Sequence, residues 1–556
     1  MRVLFVSSEA YPFAKTGGLA DVSHALPLAL RAQGVDARLL LPGYPGALEK
    51  LVDSRVEMAL DGILGVPDAR LIAGLAPGSK LPVWLIDAPS LYDRPGGLYQ
   101  DANGDPWPDN ARRFAFLSHV AAQVGMGLVD GWTPDVVHAN DWHAALAPQI
   151  LSTIEGARPA TVFTIHNMAF QGNFPAEVLQ SIGVHETAFT SDGLEFYGQI
   201  SFLKAGIRYS DRVTTVSPTY QGEVLTPEFG FGLEGLLGAR ADDFVGILNG
   251  AEYSIWDPAH DPELPCRYEA GDLSGKRQCK LQLQRELGLA LKPDTPVIAF
   301  VSRLTRQKMA DVVLDALPWL AGQDAQFILL SEGDRDLEER FRETGRHAVD
   351  KLAVRIGYEE PLAHRILAGA DIVLTPARFE PCGLTQLYAM RYGALPIARK
   401  VGGLADTVTA IGSNCGASPT GFLFEGADAS ALTEAISQAL AVYREPLAWR
   451  RLQRNAMARD FGWRASAAKY HSLYRSLVGA DAEVVAPSEP CQTNEVALTA
   501  IAAQLADGPV VACKASKTAR EADLRGARSV AMQQGGSRGY NDQSADTRRY
   551  DPHTEL

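Results

Sequence analysis

The chain has 556 residues, 46% of them apolar, and a formal net charge of −14. That length suggests more than one packed domain with sizeable cores. The acidic balance, without any block of Lys and Arg, excludes nucleic acid as the expected partner; no run approaches membrane-spanning length, so no membrane association is expected; and six cysteines without a CxxC pair exclude a disulfide scaffold and suit a reducing cytoplasm.

The opening residues, MRVLFVSS, read as a buried strand over 2–8. The apolar run is too short for a signal peptide and no small-residue cleavage site follows it, so the expected location is cytoplasmic. At the strand's end comes Lys15-Thr16-Gly17-Gly18-Leu19-Ala20-Asp21, which opens a helical pattern over 21–34. Further strand patterns fall at 36–41, 83–87, 135–139, 160–166, 212–217 and 244–248, with a helical pattern over 110–124. The stretch 256–276 is rich in Pro and Asp and reads as a connection. A second series follows, with strands at 296–302, 325–331, 352–356, 371–375, 395–398 and 421–424 and helices at 334–348, 383–391 and 428–443. Residues 462–478 read as a closing amphipathic helix, and the polar sequence beyond about 480 as a disordered tail. Apolar strands alternating with helices imply an α/β protein with doubly wound parallel sheets, which bind ligands beyond the carboxyl ends of their strands.

The glycine turn has a near copy at Lys400-Val401-Gly402-Gly403-Leu404-Ala405-Asp406. A glycine pair between strand and helix lets the backbone approach a ligand, and the helix N-terminus favours an anion. Two copies suggest two nucleotide-type domains facing one charged ligand; the plainer alternative is that Gly-Gly ends a strand twice. Arg303 and Lys308, in SRLTRQK after a strand, suit a diphosphate, or else are surface charges. Glu380 sits at a sharp turn marked by Pro381 and Gly383, facing the crevice or serving its own helix dipole. His166 and Asn167 end the strand ATVFTIHN. His138 and His143 flank Asp141 in VVHANDWH, but no further ligands at metal spacing accompany them, and no metal is expected. Asp334 and Asp336 form a DxD that helix capping explains without a metal.

Taken in order, KTGGLADV, HANDWHAALAP, TIHNMAFQG, GILNG followed by WDP, SRLTRQK and ARFEPCGLTQLYAMRYGALPI running into VGGLADTV resemble the bacterial glycogen synthases and plant starch synthases, retaining glucosyltransferases of GT-B architecture. The resemblance spans about residues 1 to 478. It implies two Rossmann-like domains with the active site in the cleft, glucose transfer from ADP-glucose to glycogen or another α-1,4-glucan, and no cofactor. It divides the chain into an acceptor-side domain at 1–255, a connection at 256–290, a nucleotide-sugar-side domain at 291–460, the closing helix at 461–479 and the tail at 480–556. Nothing in it sets an oligomeric state.

Position by position, the resemblance makes Glu380, His166, Arg303, Lys308 and Asp141 the catalytic set. It puts Lys15, Gly17, Gly18, Asn249, Cys382, Gly383, Leu384, Thr385 and Tyr388, with Arg303 and Lys308, against the donor. Trp142, as a stacking platform, and Asn167 would meet the acceptor. Three departures stand out. Met309 follows Lys308 where the family reads Gly; Glu252 stands where it has Asp; and the chain runs on beyond the family's end. A Met at 309 either takes an ordinary conformation and shifts the Lys308 turn, or accepts a left-handed one at about 1 kcal/mol or more. The competing readings are a catalytically weakened or inactive glucan-binding or regulatory paralogue and a phosphorylase, which would need pyridoxal phosphate. A dehydrogenase is disfavoured because neither glycine turn reads GxGxxG.

Overall fold

The computed structural model describes residues 1–348, 350–413 and 416–479; the tail expectation for 480–556 lies outside them. The first lobe contains β1 (Arg2–Val6), β2 (Asp36–Pro42), β3 (Val52–Ala59), β4 (Arg70–Leu75), β5 (Pro82–Asp87), β6 (Val136–Asn140), β7 (Ala160–Ile165), β8 (Asn173–Pro175), β9 (Glu195–Phe196), β10 (Gln199–Ser201), β11 (Arg212–Thr215) and β12 (Phe244–Gly246). Nine of them form one sheet in the order β12-β11-β7-β6-β1-β2-β5-β4-β3, and β8-β10-β9 form a small separate sheet. The second lobe has β13 (Val297–Val301), β14 (Gln326–Ser331), β15 (Leu352–Ile356), β16 (Ile372–Thr375), β17 (Leu395–Arg399) and β18 (Phe422–Phe424), ordered β15-β14-β13-β16-β17-β18 with every pairing parallel.

The central strands are continuous apolar runs because helices cover both faces. Val3, Leu4, Phe5 and Val6 of β1, and Val297, Ile298, Ala299 and Phe300 of β13, are wholly buried. Each large side chain of this kind stabilises the fold by about 1.5–3 kcal/mol. Two strands that the apolar-run reading did not expect, β4 and the edge strand β3, extend the first sheet by antiparallel pairing. β3 is mostly exposed and reads VDSRVEMA, so it carries no apolar run to reveal it.

The chain crosses between the lobes twice. After β12 it passes through the connection to the Ser274–Glu286 helix, and after the Pro446–Met457 helix it returns to the Trp463–Leu477 helix. That last helix buries Trp463, Ala467, Tyr470 and Tyr474 in the same core cluster as Val3, Phe5, Leu26 and Leu30 of the first lobe. Their spacing is the helical one expected of an amphipathic stripe. The two crossings touch. The Ala251 N–H donates to the Phe461 carbonyl (2.7 Å), the Phe461 N–H donates to the Tyr253 hydroxyl (2.8 Å), and Ala251 and Gly462 form a parallel bridge. A side chain at Gly250 would come within 2.7 Å of Trp463.

Candidate active site in the cleft between two sheets

The turns beyond the carboxyl ends of β1, β6, β7, β12, β13 and β16 carry the candidate residues. After β1, a buried carboxylate shapes the first glycine turn. Glu9 accepts the Thr16 N–H (2.5 Å), the Thr16 hydroxyl (2.9 Å) and the Tyr99 hydroxyl (3.0 Å), and burial pushes its carboxyl above the usual range. Nothing lies within 4 Å of a Cβ built on Gly17, while one on Gly18 would meet Leu384 of the second lobe at 3.4 Å. The first turn therefore faces the second lobe. Lys15 spans the gap, reaching Asp21 at 2.8 Å and Glu360 of the second lobe at 3.1 Å. Burial works against its charge, but these two carboxylates hold its ammonium above the ordinary range.

Asp141 follows β6 in a left-handed conformation, φ 58°. Burial pushes its carboxyl up to about 8, against the pull of the Trp142, His166 and Asn167 backbone N–H groups. Its Oδ1 has no hydrogen-bond partner among the described residues. His166, after β7, lies 3.0 Å from Asn140 Oδ1, and burial pushes it down to about 3, so the ring is neutral near pH 7. Asn167 accepts the Ala169 N–H (3.0 Å), fixing its own turn. The other two histidines of VVHANDWH belong to the core: His138 lies 2.7 Å from the Tyr474 hydroxyl and 2.6 Å from Thr164 Oγ1, and His143 stacks against Tyr99.

Trp142 requires a correction. The indole is 6% exposed and packs against Phe114, Phe174 and Phe202. A Cβ built on Gly172 would lie 2.4 Å from it. It has no open face for a sugar; aromatic partners and a glycine have closed over it.

In the second lobe, Lys308 Nζ contacts Glu380 Oε2, and Glu380 is only 8% exposed. The turns that carry them are locked together. The Arg378 N–H donates to the Gln307 carbonyl (2.8 Å), Gln307 Nε2 donates to the Phe379 carbonyl (3.2 Å), and Arg378 makes a two-pronged pair with Asp311 at 2.9 and 2.8 Å. Arg303 is exposed just past β13. Met309 is wholly buried and left-handed, φ 52° and ψ 34°, as N-cap of the Ala310–Ala321 helix. After Glu380, Gly383 is also left-handed, φ 74°, and Gln386 Nε2 ties the Cys382 and Gly383 carbonyls at 3.0 Å each, so Leu384 and Thr385 enter the next helix from a fixed turn. Burial pushes the Cys382 thiol up to about 12; the Asn249 backbone N–H from the first lobe reaches it. Asn249 Oδ1 is a second buried acceptor with no partner among the described residues. Tyr388 stacks on Trp256 at 4.3 Å and 9°, and Trp256 on His364 at 3.7 Å and 13°. Tyr388 shares a small hollow with Tyr11, Asp21, His24 and Glu252.

The second glycine turn does something other than cradle an outside anion. The Gly402 N–H donates to Glu223 Oε1 of the first lobe (2.8 Å), and the Gly403 N–H donates to the Glu380 carbonyl (3.0 Å). Side chains at Gly402 and Gly403 would run into the Glu380 and Cys382 carbonyls at 2.0 and 2.2 Å. These glycines let the turn pack behind Glu380, and the protein's own carboxylate takes the helix N-terminus. Burial pushes that carboxyl up to about 7. Beside it, Asp406 accepts the Thr219 N–H (2.9 Å) and hydroxyl (2.6 Å). Asp334 accepts the Leu337 N–H (3.0 Å) as a helix cap. Sequence reasoning missed Glu9, Glu360 and Glu223. Only Glu9, an acid at a strand tip amid apolar residues, left any local signal.

Two family descriptions match the chain: starch synthase catalytic domain over residues 2–239, and glycosyl transferases group 1 over residues 295–441. The chain is 52% identical to a glycogen synthase of Burkholderia thailandensis over 85% of this chain and 90% of that protein. It is 49% identical to one of Paramagnetospirillum magneticum, over 86% and 98%. Its fold is similar to the catalytic domain of starch synthase IV from Arabidopsis thaliana bound to ADP and acarbose, with a TM-score of 0.78 and 33% identity over 86% of this chain and 99% of that one. The chain belongs to the glycogen and starch synthase family, hexosyltransferases built as two Rossmann-like lobes in the GT-B arrangement.

Proposed function

We propose that this chain transfers glucose from ADP-glucose to the non-reducing end of an α-1,4-glucan, with retention of configuration and release of ADP. The observation that carries the reading is the Lys308–Glu380 pair facing the cleft, beside turns held rigid by Arg378–Asp311 and Gln307. The starch synthase IV structure holds ADP and acarbose, which supports a nucleotide and a glucan in the corresponding cleft.

In the transfer, the bond from the anomeric carbon to the donor phosphate oxygen breaks and one to the acceptor hydroxyl forms on the same face. Negative charge grows on the departing diphosphate. Arg303 and Lys308 meet that charge; Lys308 is already held by Glu380, and a preorganised cation is a strong lever on a developing charge. Glu380 keeps Lys308 in place and accepts from the glucose hydroxyls. Lys15, with the open turn at Gly17 and Gly18, approaches the donor from the first lobe, and the Gly383, Leu384 and Thr385 backbone flanks it from the second. Asn249, Cys382 and Tyr388 complete the donor wall. Asp141 and Asn249 each bring a buried acceptor oxygen that a sugar hydroxyl would satisfy. Neutral His166 and Asn167 line the acceptor side. A donor phosphate oxygen takes the acceptor proton. The cytoplasm is the proposed location.

The test is ADP release from ADP-glucose, with UDP-glucose in parallel, in the presence and absence of glycogen. Glycogen-dependent release with ADP-glucose is expected; none with either donor would overturn the reading.

A further inference from the structure

The acceptor side lost its expected aromatic platform when Trp142 proved to be buried, yet another aromatic surface lies on the same lobe. Strands β9 and β10 form a hairpin in which Phe196 pairs with Gln199, leaving Tyr197 and Gly198 at the tip. Both tip residues have positive φ, 50° and 81°. That is the turn in which Asn, Asp or Gly belongs at the first position. A tyrosine there costs about 1 kcal/mol of backbone strain, and the ring is 83% exposed, so burial returns nothing. A strained residue without a folding benefit points to a function.

The ring is not isolated. Tyr197 and Phe196 meet edge to face, centroids 4.7 Å apart. Gly232 lies against them, where a Cβ would stand 3.1 Å from Phe196 and 3.4 Å from Tyr197. Its neighbour Phe231 is left-handed, φ 50°, with its carbonyl held by Gln171 Nε2 at 3.0 Å. Phe231 meets Phe379 of the second lobe edge to face at 5.7 Å, and the residue after Phe379 is Glu380. The Tyr197–Phe196 pair, the Gly232 backbone against it and the Phe231–Phe379 pair thus link the exposed tip to the residue before Glu380. Two carboxylates of these turns are held by backbone N–H groups, Glu195 by Gly198 (2.8 Å) and Glu234 by Gly232 (3.0 Å). The surface suits a neutral ligand with flat apolar faces.

We propose that Tyr197, with Phe196 and Phe231 behind it, is an outer binding platform for the acceptor glucan, stacking on pyranose C–H faces several sugars from the reacting end. The proposal rests on the glucan-transfer reading, because the glucan of that reading is a neutral chain with apolar pyranose faces that extends away from its reacting end.

The informative variant is Tyr197→Asn, which removes the ring and suits the left-handed turn, so the fold is kept. Retardation in gels containing glycogen, run without donor, should weaken, with apparent Kd up by roughly tenfold at most, the value of one aromatic contact. KM for glycogen should rise similarly while KM for maltotriose moves less, because a short acceptor does not reach the tip. Tyr197→Trp should restore both. Wild-type retardation by Tyr197→Asn, or equal rises in KM for maltotriose and glycogen, would overturn the proposal. Because the gel reads binding alone, a protein that is retarded through Tyr197 yet shows no transfer would refute the transfer reading and leave the platform standing.

Discussion

Met309 gives a direct measure of what one residue in a glycine's place costs this fold. Its left-handed backbone is disfavoured for a side-chain-bearing residue by about 1–2 kcal/mol. Its side chain is wholly buried, and truncating a buried Met costs about 2–5 kcal/mol. Met309→Ala loses the packing and keeps the strain. Met309→Gly loses the packing and releases the strain, but adds roughly 0.5–1 kcal/mol of unfolded-chain entropy. Both variants should be less stable than the parent, with Gly above Ala by up to about 1.5 kcal/mol. Because Met309 already adopts the conformation a glycine would use, the Lys308 turn is in place, and kcat/KM for ADP-glucose should stay within about twofold in Met309→Gly. Denaturant midpoints and steady-state kinetics with donor varied at saturating glycogen make the comparison. Gly falling below Ala would refute the strain argument. A several-fold rise in kcat/KM would show that Met309 had displaced Lys308.

Lys308→Ala and Arg303→Ala should each lower kcat by roughly 10²-fold or more; near-normal turnover in either would remove that residue from the leaving group. The Asp141 carboxyl, pushed up to about 8 in the fold, binds its proton more tightly than in the unfolded chain. Its contribution is fully present below the ordinary pKa of about 4 and is lost as pH rises through the folded value. Asp141→Asn suits the left-handed backbone and carries no charge, so its melting temperature should gain on the parent from about pH 4 to about pH 8 and level off above; a pH-independent difference would show that Asp141 does not titrate in this range. A chain ending at Gly479 should keep activity and melting temperature, whereas one ending at Gly462 strips Tyr474 from His138 and uncovers the first sheet, and should be insoluble or melt far lower. Equal behaviour of the two would contradict the packing of the last helix.

The sequence exposed what local pattern controls. β1 and β13 declare themselves as apolar runs, and the Arg335–Arg346 helix follows the cap at Asp334. What it hid depends on distant partners. The second glycine turn copies the first almost letter for letter, yet its neighbour is Glu223, far away in the chain, and that carboxylate decides what the turn holds. Trp142 sits among polar letters in HANDWH, and only the fold brings Phe114, Phe174 and Gly172 over its ring. β3 was invisible because an exposed edge strand needs backbone pairing rather than an apolar face.

The two crossings between the lobes are bonded to each other at Ala251, Tyr253 and Phe461, and this has a mechanical consequence. Two covalent pins side by side leave the lobes little freedom to slide or twist and direct their motion into a swing about one axis. Contacts that bridge the lobes elsewhere, among them Lys15 to Glu360, Thr219 to Asp406 and Gly402 to Glu223, then lie along a single opening coordinate. Releasing one lowers the work of releasing the others, so admission of a donor should proceed as one cooperative step, with a rate that responds to a substitution at any of the three.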